Sequence, residues 1–260
     1  MGADISRQRE AAPYVRTTVA PSAASAQPVC MRIFRDRKDA GIQLGKRLSG
    51  LRLGKDVIVL GLPRGGVPVA FEVAMALDAP LDVIVVRKIG ARFNPELALG
   101  AVAFGGVTVY NEALLRDLGL GEEDLEDIRA RERAELERRE HAYRDARPMP
   151  DLAGKTVVLV DDGIATGATM VAAVSAVRAL HPKRVIVAVP TSAVDSAARL
   201  EAVADRVITL ATPEPYFGVG AWYAEFHQLD DAEVVRCLET AAGRNRSQSG
   251  ESSPESQARA

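Results

Sequence analysis

TVVLVDDGIATGATM, residues 156–170, is the stretch that decides the fold. It begins with the unbroken apolar run Val157–Val160, which predicts a strand buried on both faces of a parallel sheet. Two adjacent carboxylates, Asp161 and Asp162, follow directly. A turn containing Gly and Thr then leads into the apolar residues 171–174, which can begin a helix. The sequence therefore predicts a strand, an acid pair, a turn and a helix in that order.

The turn and the acid pair suit two different parts of one ligand. The turn would direct backbone N–H groups and hydroxyls at one point, with a helix N-terminus behind them, and this arrangement binds phosphate. Carboxylates repel phosphate, but they accept hydrogen bonds from the hydroxyls of a sugar. A vicinal diol at one end and a monophosphate at the other describe a ribose 5-phosphate.

The segment DDGIATGAT closely resembles the phosphoribosyl diphosphate (PRPP) signature of type I phosphoribosyltransferases. Together with the alternation of predicted strands and helices, it implies an α/β fold with a mostly parallel, doubly wound sheet. It also implies that Asp161 and Asp162 hold the ribose hydroxyls. The loop that it implies for the 5-phosphate consists of Gly163, Ile164, Ala165, Thr166, Gly167, Ala168 and Thr169. A buried strand that ends in an ordinary surface turn is the structural alternative.

A second loop, GLPRGGVP, is similar to the pyrophosphate loop of the same family. A predicted strand, Val57–Leu60, precedes it, and a predicted helix from about residue 69 to 77 follows it. The loop places Arg64 beside Gly65 and Gly66; glycines let a ligand approach the backbone, and a guanidinium offers a fork of donors. In the family this loop commonly contains a non-proline cis peptide. A plain crossover from strand to helix is the alternative.

A third strand is predicted at Val83–Val86, and two cations, Arg87 and Lys88, follow it. Ligands bind at the carboxyl ends of the strands in parallel sheets. The pattern R-K-x-G resembles that of adenine-type phosphoribosyltransferases. The resemblance implies that Arg87 and Lys88 are catalytic together with the acid pair, and that they bind pyrophosphate with Arg64. A solvated basic turn is the alternative for Arg87 and Lys88. The residues that follow, 91–110, predict a hairpin around a Gly-Gly turn.

Most aromatic residues after the central motif lie between residues 212 and 228 of a chain that is only 5% aromatic. Flat rings can sandwich a planar acceptor, or they can pack a C-terminal cap onto the core, and the sequence leaves both interpretations open. The candidate acceptor-binding residues of this segment are Tyr216, Phe217, Trp222 and Tyr223.

Composition predicts one domain, residues 31–243, with flanking and inserted segments. Residues 1–30 and 244–260 are predicted to be disordered because they lack apolar content. Residues 111–148 are dominated by Glu, Asp and Arg, and they predict a charged helical insertion that covers the site or contacts another subunit. Residues 212–243 are predicted to form a small C-terminal hood. The resemblance is therefore to a bacterial-type subgroup with such an insertion.

The overall composition narrows the class of function. A net charge of −2 gives no support for nucleic-acid binding, and no stretch approaches the length of a membrane span. The two cysteines, Cys30 and Cys237, form neither a metal-ligand spacing nor a disulfide framework, which favours a reducing cytoplasm.

The resemblance implies an enzyme, a homo-oligomer, that uses Mg²⁺ and PRPP. A nitrogen acceptor, a nucleobase or a similar planar compound, would replace pyrophosphate at C1 of the ribose. Mg²⁺ would bridge pyrophosphate and ribose oxygens, so Asp161 and Asp162 would act on the metal indirectly, through ribose hydroxyls or water. Enzymes for 6-oxopurines usually carry Asp where Ala165 stands, which argues against hypoxanthine and guanine. A non-catalytic regulatory protein that binds PRPP or a nucleotide is the alternative function.

Overall fold

A computed structural model of the chain describes residues 34–92, 94–144 and 148–249. The disorder predicted for residues 1–30 and 250–260 lies outside the described residues. The strands are β1 (Val57–Gly61), β2 (Leu81–Val83), β3 (Val86–Ala91), β4 (Asn94–Ala103), β5 (Val107–Tyr110), β6 (Thr156–Val160), β7 (Arg184–Thr191) and β8 (Arg206–Ala211). The helices are α1 (Arg37–Ser49), α2 (Gly66–Leu77), α3 (Glu112–Leu118), α4 (Glu126–Arg144), α5 (Ala168–Arg178), α6 (Val194–Glu201) and α7 (Asp231–Ser249).

Five strands form a parallel sheet in the order β2-β1-β6-β7-β8, which confirms the predicted α/β fold. β6, the strand of the central motif, lies in the middle and pairs with β1 on one side and β7 on the other. Because the strands are parallel, their carboxyl ends meet at one edge. The loops that follow β1 and β6 are therefore neighbours.

Helices cover both faces of this sheet because alternate residues of each strand point to opposite faces. On one face, α5 and α6 pack against the side chains Ile58, Leu60, Val157, Leu159, Val185, Val187 and Val189. On the other face, α1 and α2 pack against Val57, Val59, Val158, Val160, Ile186 and Ala188. The continuous apolar run of β6 thus serves two hydrophobic layers, as expected for a strand buried on both sides.

A second sheet holds the antiparallel strands β3, β4 and β5. The predicted hairpin is confirmed, since β4 and β5 pair on either side of residues 104–106. The predicted strand Val83–Val86 is wrong as a single element. β2 ends at Val83, and Val86 begins β3 by pairing with Ala103. The chain crosses from the parallel to the antiparallel sheet between these residues, so its apolar run is divided between two sheets.

The charged segment forms α3 and α4, and α4 has two different sides. Its outer side carries ion pairs such as those of Glu135 with Arg138 and Arg139. Its inner side buries Leu136 and Tyr143 against the antiparallel sheet and α7. The helix is therefore part of the core packing rather than an exposed helix alone.

Three helix ends differ from the predicted ones. α2 begins at Gly66 instead of residue 69, because Pro68 falls in its first turn, where the missing N–H has no intrahelical partner. α5 begins at Ala168, because Gly167, with φ of 77°, turns the chain directly into the helix. α7 continues to Ser249, past the predicted end of the hood at residue 243 and into the segment predicted as a disordered tail, and Arg244 reaches Asp78 at the end of α2.

The longest described helices, α4 and α7, have 19 residues each. Both are rich in charged residues. Within residues 34–92, 94–144 and 148–249, no helix combines the length and the apolar character needed to cross a membrane.

Candidate active site

The acid pair and the Gly-rich loop after β1 are in direct contact. Asp161 and Asp162 follow β6, and Gly65 and Gly66 lie against them. A Cβ atom on Gly65 would lie 2.0 Å from Asp162 Oδ2, and one on Gly66 would lie 2.6 Å from the carbonyl oxygen of Val160. The two glycines are therefore required for the close approach of the two loops, in addition to any approach of a ligand.

Arg37, the first residue of α1, binds Asp162. Its Nε donates to Asp162 Oδ2 at 2.8 Å, and both side chains are nearly buried, at 9% and 12% exposure. Its Nη1 donates to the carbonyl oxygen of His227 at 2.9 Å, and its guanidinium carbon lies 3.9 Å from the ring centroid of Phe226. The sequence carried no signal for this pair, because 125 positions separate the two residues.

Burial raises the pKa of both carboxyls of the acid pair. Burial and, next, the charge of Asp162 raise the pKa of Asp161 well above its usual value. Burial also raises the pKa of Asp162, while the hydrogen bond from Arg37 opposes that rise. The Tyr223 hydroxyl donates to the carbonyl oxygen of Asp162, and burial raises the pKa of that phenol. The two carboxyls thus have different environments, with a cationic partner on Asp162.

The predicted phosphate loop has exposed residues, and side chains of α6 bind its backbone. Thr166 and Thr169 are exposed, whereas Gly167 is buried. On α6, Ser196 Oγ donates to the carbonyl oxygen of Ala165 at 2.7 Å, and Arg199 Nη2 donates to that of Thr166 at 2.9 Å. These bonds turn two loop carbonyls toward α6. Sequence reasoning missed both α6 residues, although their position just after β7, the neighbour of β6, was a usable signal.

The predicted pyrophosphate loop has the cis peptide expected of it, between Pro63 and Arg64. Arg64 is exposed, and it binds the segment before α7: Nη1 donates to the carbonyl oxygen of Leu229 at 2.7 Å, and Nε lies 3.2 Å from Asp231 Oδ1. A cavity of about 430 Å³ lies between these groups. Its lining includes Arg37, Arg64, Gly65, Asp162, Phe226 and His227.

Arg87 and Lys88 lie in β3, at a different cavity from Arg64 and Asp162. Nε of Arg87 donates to Glu132 Oε2 of α4 at 2.9 Å, and Nη2 lies 2.6 Å from the same oxygen in an ion pair. The cavity there measures about 750 Å³. Four cations and two carboxylates line it together with Thr169 of the phosphate loop: Arg87, Lys88, Arg92, Arg131, Asp127 and Glu132. The lining therefore has an excess of positive charge, and Glu132 is a contact that sequence reasoning missed.

The aromatic segment packs mainly as a cap. Trp222 and Tyr223 are buried, at 2% and 6% exposure, and form a small core with Phe34. The assignment of these two side chains to an acceptor is corrected to this packing role, because the cap must bury its own apolar surface. Tyr216 stacks on Trp222 with ring centroids 5.9 Å apart, whereas Phe217 is 74% exposed. Of the four predicted acceptor-binding residues, Phe217 is thus the most exposed.

The oxygen atoms of the acid pair fit an indirect magnesium site. Among the described residues, no group of three or more His, Cys, Asp or Glu side chains is placed to hold a metal ion. Mg²⁺ is commonly held by one or two carboxylates together with substrate phosphates and water, so a dedicated protein cage is not needed. With one Asp162 oxygen engaged by Arg37, the remaining carboxylate oxygens of Asp161 and Asp162 could serve.

Comparison with known proteins shows consistent matches. The family described as "Phosphoribosyl transferase domain" matches residues 38–225. Two Mycobacterium tuberculosis proteins, from two strains of that organism, are named as proposed phosphoribosyl transferases. Each is 49% identical over 211 residues, which is 81% of this chain and 47% of theirs, so the chain spans about half their length. The crystal structure of TT1426 from Thermus thermophilus matches with a TM-score of 0.75 and 47% identity, covering 79% of this chain and 97% of that one.

Proposed function

The chain belongs to the type I phosphoribosyltransferase family, and on that premise we propose that it transfers ribose 5-phosphate from Mg-PRPP to a nitrogen acceptor. One observation carries the proposal. The acid pair, the cis-peptide loop and the solvent-open phosphate loop follow strands of one parallel sheet, with Asp162 touching Gly65 and with α5 beginning at the phosphate loop. A ribose that carries a 5-phosphate and a pyrophosphate needs these three groups at one edge.

In this reaction the acceptor nitrogen forms a bond to C1 as the bond from C1 to the pyrophosphate oxygen breaks, and the acceptor loses a proton. The transition state is like an oxocarbenium ion, so the protein must fix the sugar and neutralise the leaving polyanion. Asp161 and Asp162 would accept hydrogen bonds from the ribose hydroxyls. The backbone N–H groups of residues 163–169 and the N-terminus of α5 would hold the 5-phosphate.

Pyrophosphate binding would draw on Arg64, Gly65 and Gly66, with Arg87 and Lys88 as further cations. Arg64 would exchange the carbonyl of Leu229 and the carboxylate of Asp231 for phosphate oxygens; its position at the surface allows this. Mg²⁺, when bound, would supply neutralising charge to the leaving pyrophosphate. The excess positive charge around Arg87 and Lys88 favours an anion there as well.

The alternative is a regulatory protein that binds PRPP or a nucleotide without turnover. One observation favours it: Asp162 and Arg64 already have partners within the chain, Arg37 in one case and Leu229 and Asp231 in the other. A sensor could use the displacement of the Arg64 contacts as its signal, whereas an enzyme would have to break and re-form those Arg64 contacts in each turnover.

Pyrophosphate release separates the two functions. The protein is incubated with Mg-PRPP and, in turn, adenine, hypoxanthine, guanine, orotate, uracil and simple aromatic amines, and pyrophosphate and nucleotide are measured. We expect release that depends on one acceptor and is lost in Asp161→Asn. Binding of Mg-PRPP without acceptor-dependent release from any of these compounds would favour the regulator, and absence of binding would contradict both.

Three further expectations stay predictions. The family resemblance predicts a homo-oligomer, which light scattering coupled to size-exclusion chromatography would test. The low cysteine content predicts a cytoplasmic location, and the balanced charge predicts that nucleic acid is not a partner. Fractionation of cells and a binding assay with duplex DNA and single-stranded RNA would test these two.

A further inference from the structure

Arg37 connects three parts of the site that are distant in sequence. Its guanidinium contacts the Asp162 carboxylate, the carbonyl oxygen of His227 and the ring of Phe226. The contact with Asp162 is nearly buried on both sides. Removing two charges from water is costly, and such a pair is weak evidence for stability alone. A buried pair at a ligand site therefore asks for a second explanation.

The position of Asp162 supplies that explanation. Its Oδ2 is held by Arg37 and is also the atom that a Cβ on Gly65 would strike, so the carboxylate is wedged between α1 and the pyrophosphate loop. This fixes its orientation and leaves Oδ1 as the oxygen with capacity for a sugar hydroxyl. The pair also carries opposite charges, so Arg37 offsets the repulsion between one carboxylate and a polyanionic ligand.

The segment before α7 is held from two sides. Arg37 binds the carbonyl oxygen of His227, and Arg64 binds that of Leu229. Both arginines line the cavity of about 430 Å³ together with Asp162. The bond to His227 therefore fixes the Arg37 guanidinium beside Asp162.

We propose that Arg37 is a positioning residue for PRPP that acts through Asp162, while its bond to the carbonyl oxygen of His227 holds the guanidinium in place. The proposal rests on the proposed function, because it assigns Asp162 to the ribose. Arg37 itself touches neither the reacting atoms nor the pyrophosphate. Its effect is expected in the affinity for PRPP, and it should vanish once residue 162 no longer carries the charge that Arg37 pairs with.

The test is a double-mutant cycle on the affinity for Mg-PRPP, measured by calorimetric titration of folded protein. Arg37→Met keeps most of the side-chain volume and removes the charge, Asp162→Asn removes the negative charge of the partner, and the two are then combined. We expect Arg37→Met to weaken binding about 10- to 100-fold, the weight of a hydrogen bond to a charged group. The double variant should bind no more weakly than Asp162→Asn alone.

Two controls keep the result interpretable. Arg47→Met removes an exposed arginine from the last turn of the same helix and should bind as the wild type does. Arg37→Lys keeps the charge but loses the fork, so it should fold and bind a few-fold more weakly even if Arg37→Met does not fold. Wild-type affinity in Arg37→Met would overturn the inference alone, and so would additive losses in the double variant. If Arg37→Met does not fold, wild-type affinity in Arg37→Lys would overturn it. Absence of PRPP binding by the wild type would overturn the proposed function and this inference with it.

Discussion

At the scale of single residues, the two adjacent carboxylates have separate tasks. Asp161 has a raised pKa caused by burial and by its neighbour, and Asp162 is anchored by Arg37. From their place at the end of a buried strand, the sequence indicates no role in the fold for either carboxylate. The structure gives Asp162 a role in the fold, so we expect variants of the two aspartates to differ in stability.

We expect Asp161→Asn to weaken PRPP binding strongly without lowering the melting temperature at pH 8. A carboxyl whose pKa is higher in the folded than in the unfolded state lowers the free energy of unfolding at pH values above its unfolded pKa. A neutral amide at this position removes that loss of stability. Asp162→Asn leaves Arg37 without its carboxylate and should cost about 3 kcal/mol of unfolding free energy, the low end for a broken buried pair. Urea unfolding and calorimetric titration of both variants test this. Equal loss of stability in the two would contradict it.

Gly65 makes a second residue-scale prediction. Ala at this position would place Cβ 2.0 Å from Asp162 Oδ2, so the carboxylate would have to leave Arg37. We expect Gly65→Ala to cost about 1–3 kcal/mol of stability, the usual range for overpacking, and to weaken PRPP binding. Gly50→Ala is the matched control, because its Cβ would have 3.6 Å of clearance and its φ of −72° suits alanine. Similar melting temperatures for the two variants would show that Asp162 moves at little cost.

Ala165 concerns the choice of acceptor. A 6-oxopurine bound here would lack the carboxylate that receives the N7 proton, at a cost of about 1–3 kcal/mol for an unpaired buried N–H. We therefore expect hypoxanthine and guanine to be poor acceptors, and Ala165→Asp to improve them relative to adenine, orotate and uracil. Nucleotide formation under identical Mg²⁺ concentrations measures this. Hypoxanthine or guanine as the best acceptor of the wild type would refute the interpretation.

At the scale of elements, α4 packs between the antiparallel sheet and α7, and this packing partly buries the carboxyl group of Glu140. Glu140 Oε1 lies 3.6 Å from Arg144 Nη1, too far for a hydrogen bond, while Asp82 takes Arg144 Nε at 3.0 Å. Burial raises the pKa of Glu140 to about 7. Because the folded pKa exceeds the unfolded value, the native state binds the extra proton.

Stability should therefore fall as the pH rises from about 4.5 to about 7, through the Glu140 pKa in the folded state. We expect Glu140→Gln to raise the melting temperature at pH 8 and to have little effect at pH 4.5. Glu239→Gln, at an exposed position on α7, is the control and should change neither. Melting curves of the three proteins across this pH range provide the measurement. A lower melting temperature for Glu140→Gln at pH 8 would mean that attraction to Arg144 outweighs burial.

At the scale of the whole molecule, Phe34 attaches the start of the described chain to the C-terminal cap. Its N–H donates to the carbonyl oxygen of Trp222, its own carbonyl accepts from the N–H of Ala224, and its ring lies 5.6 Å from that of Tyr223. Since Tyr223 also holds the backbone of Asp162, this contact supports the site.

We expect Phe34→Ala to lower the free energy of unfolding by about 3–5 kcal/mol, the usual cost of deleting a buried phenyl group. Phe217→Ala, which removes a ring that is 74% exposed, is the control and should change stability by much less. Denaturant titration compares the two. A loss below about 1 kcal/mol for Phe34→Ala would show that the cap stays folded without this attachment.

Local patterns predicted the parallel sheet and the loops that follow β1 and β6. The run Val157–Val160 and the acid pair after it are contiguous, so chain order alone defines their arrangement. The pairing of Arg37 with Asp162 and of Arg87 with Glu132 could not be predicted, because each joins residues far apart in sequence. The division of residues 83–86 between two sheets was missed for a related reason. An apolar run shows that residues are buried, but it does not show which sheet they join.

The place of β6 in the sheet has a consequence for hydrogen exchange. The strand is paired along both edges and covered by helices on both faces, so its amide protons should exchange only through global unfolding. The residues before α7 belong to no sheet; side-chain contacts hold them, from Arg37 and Arg64 to two carbonyl oxygens and from Glu233 to His227 and the Asp230 amide. We therefore expect the amides of the cavity wall, residues 226–229, to exchange faster than those of β6, the strand that the acid pair follows. Under the proposed function, PRPP would then enter by movement of this wall, without unfolding of the strand that carries the acid pair.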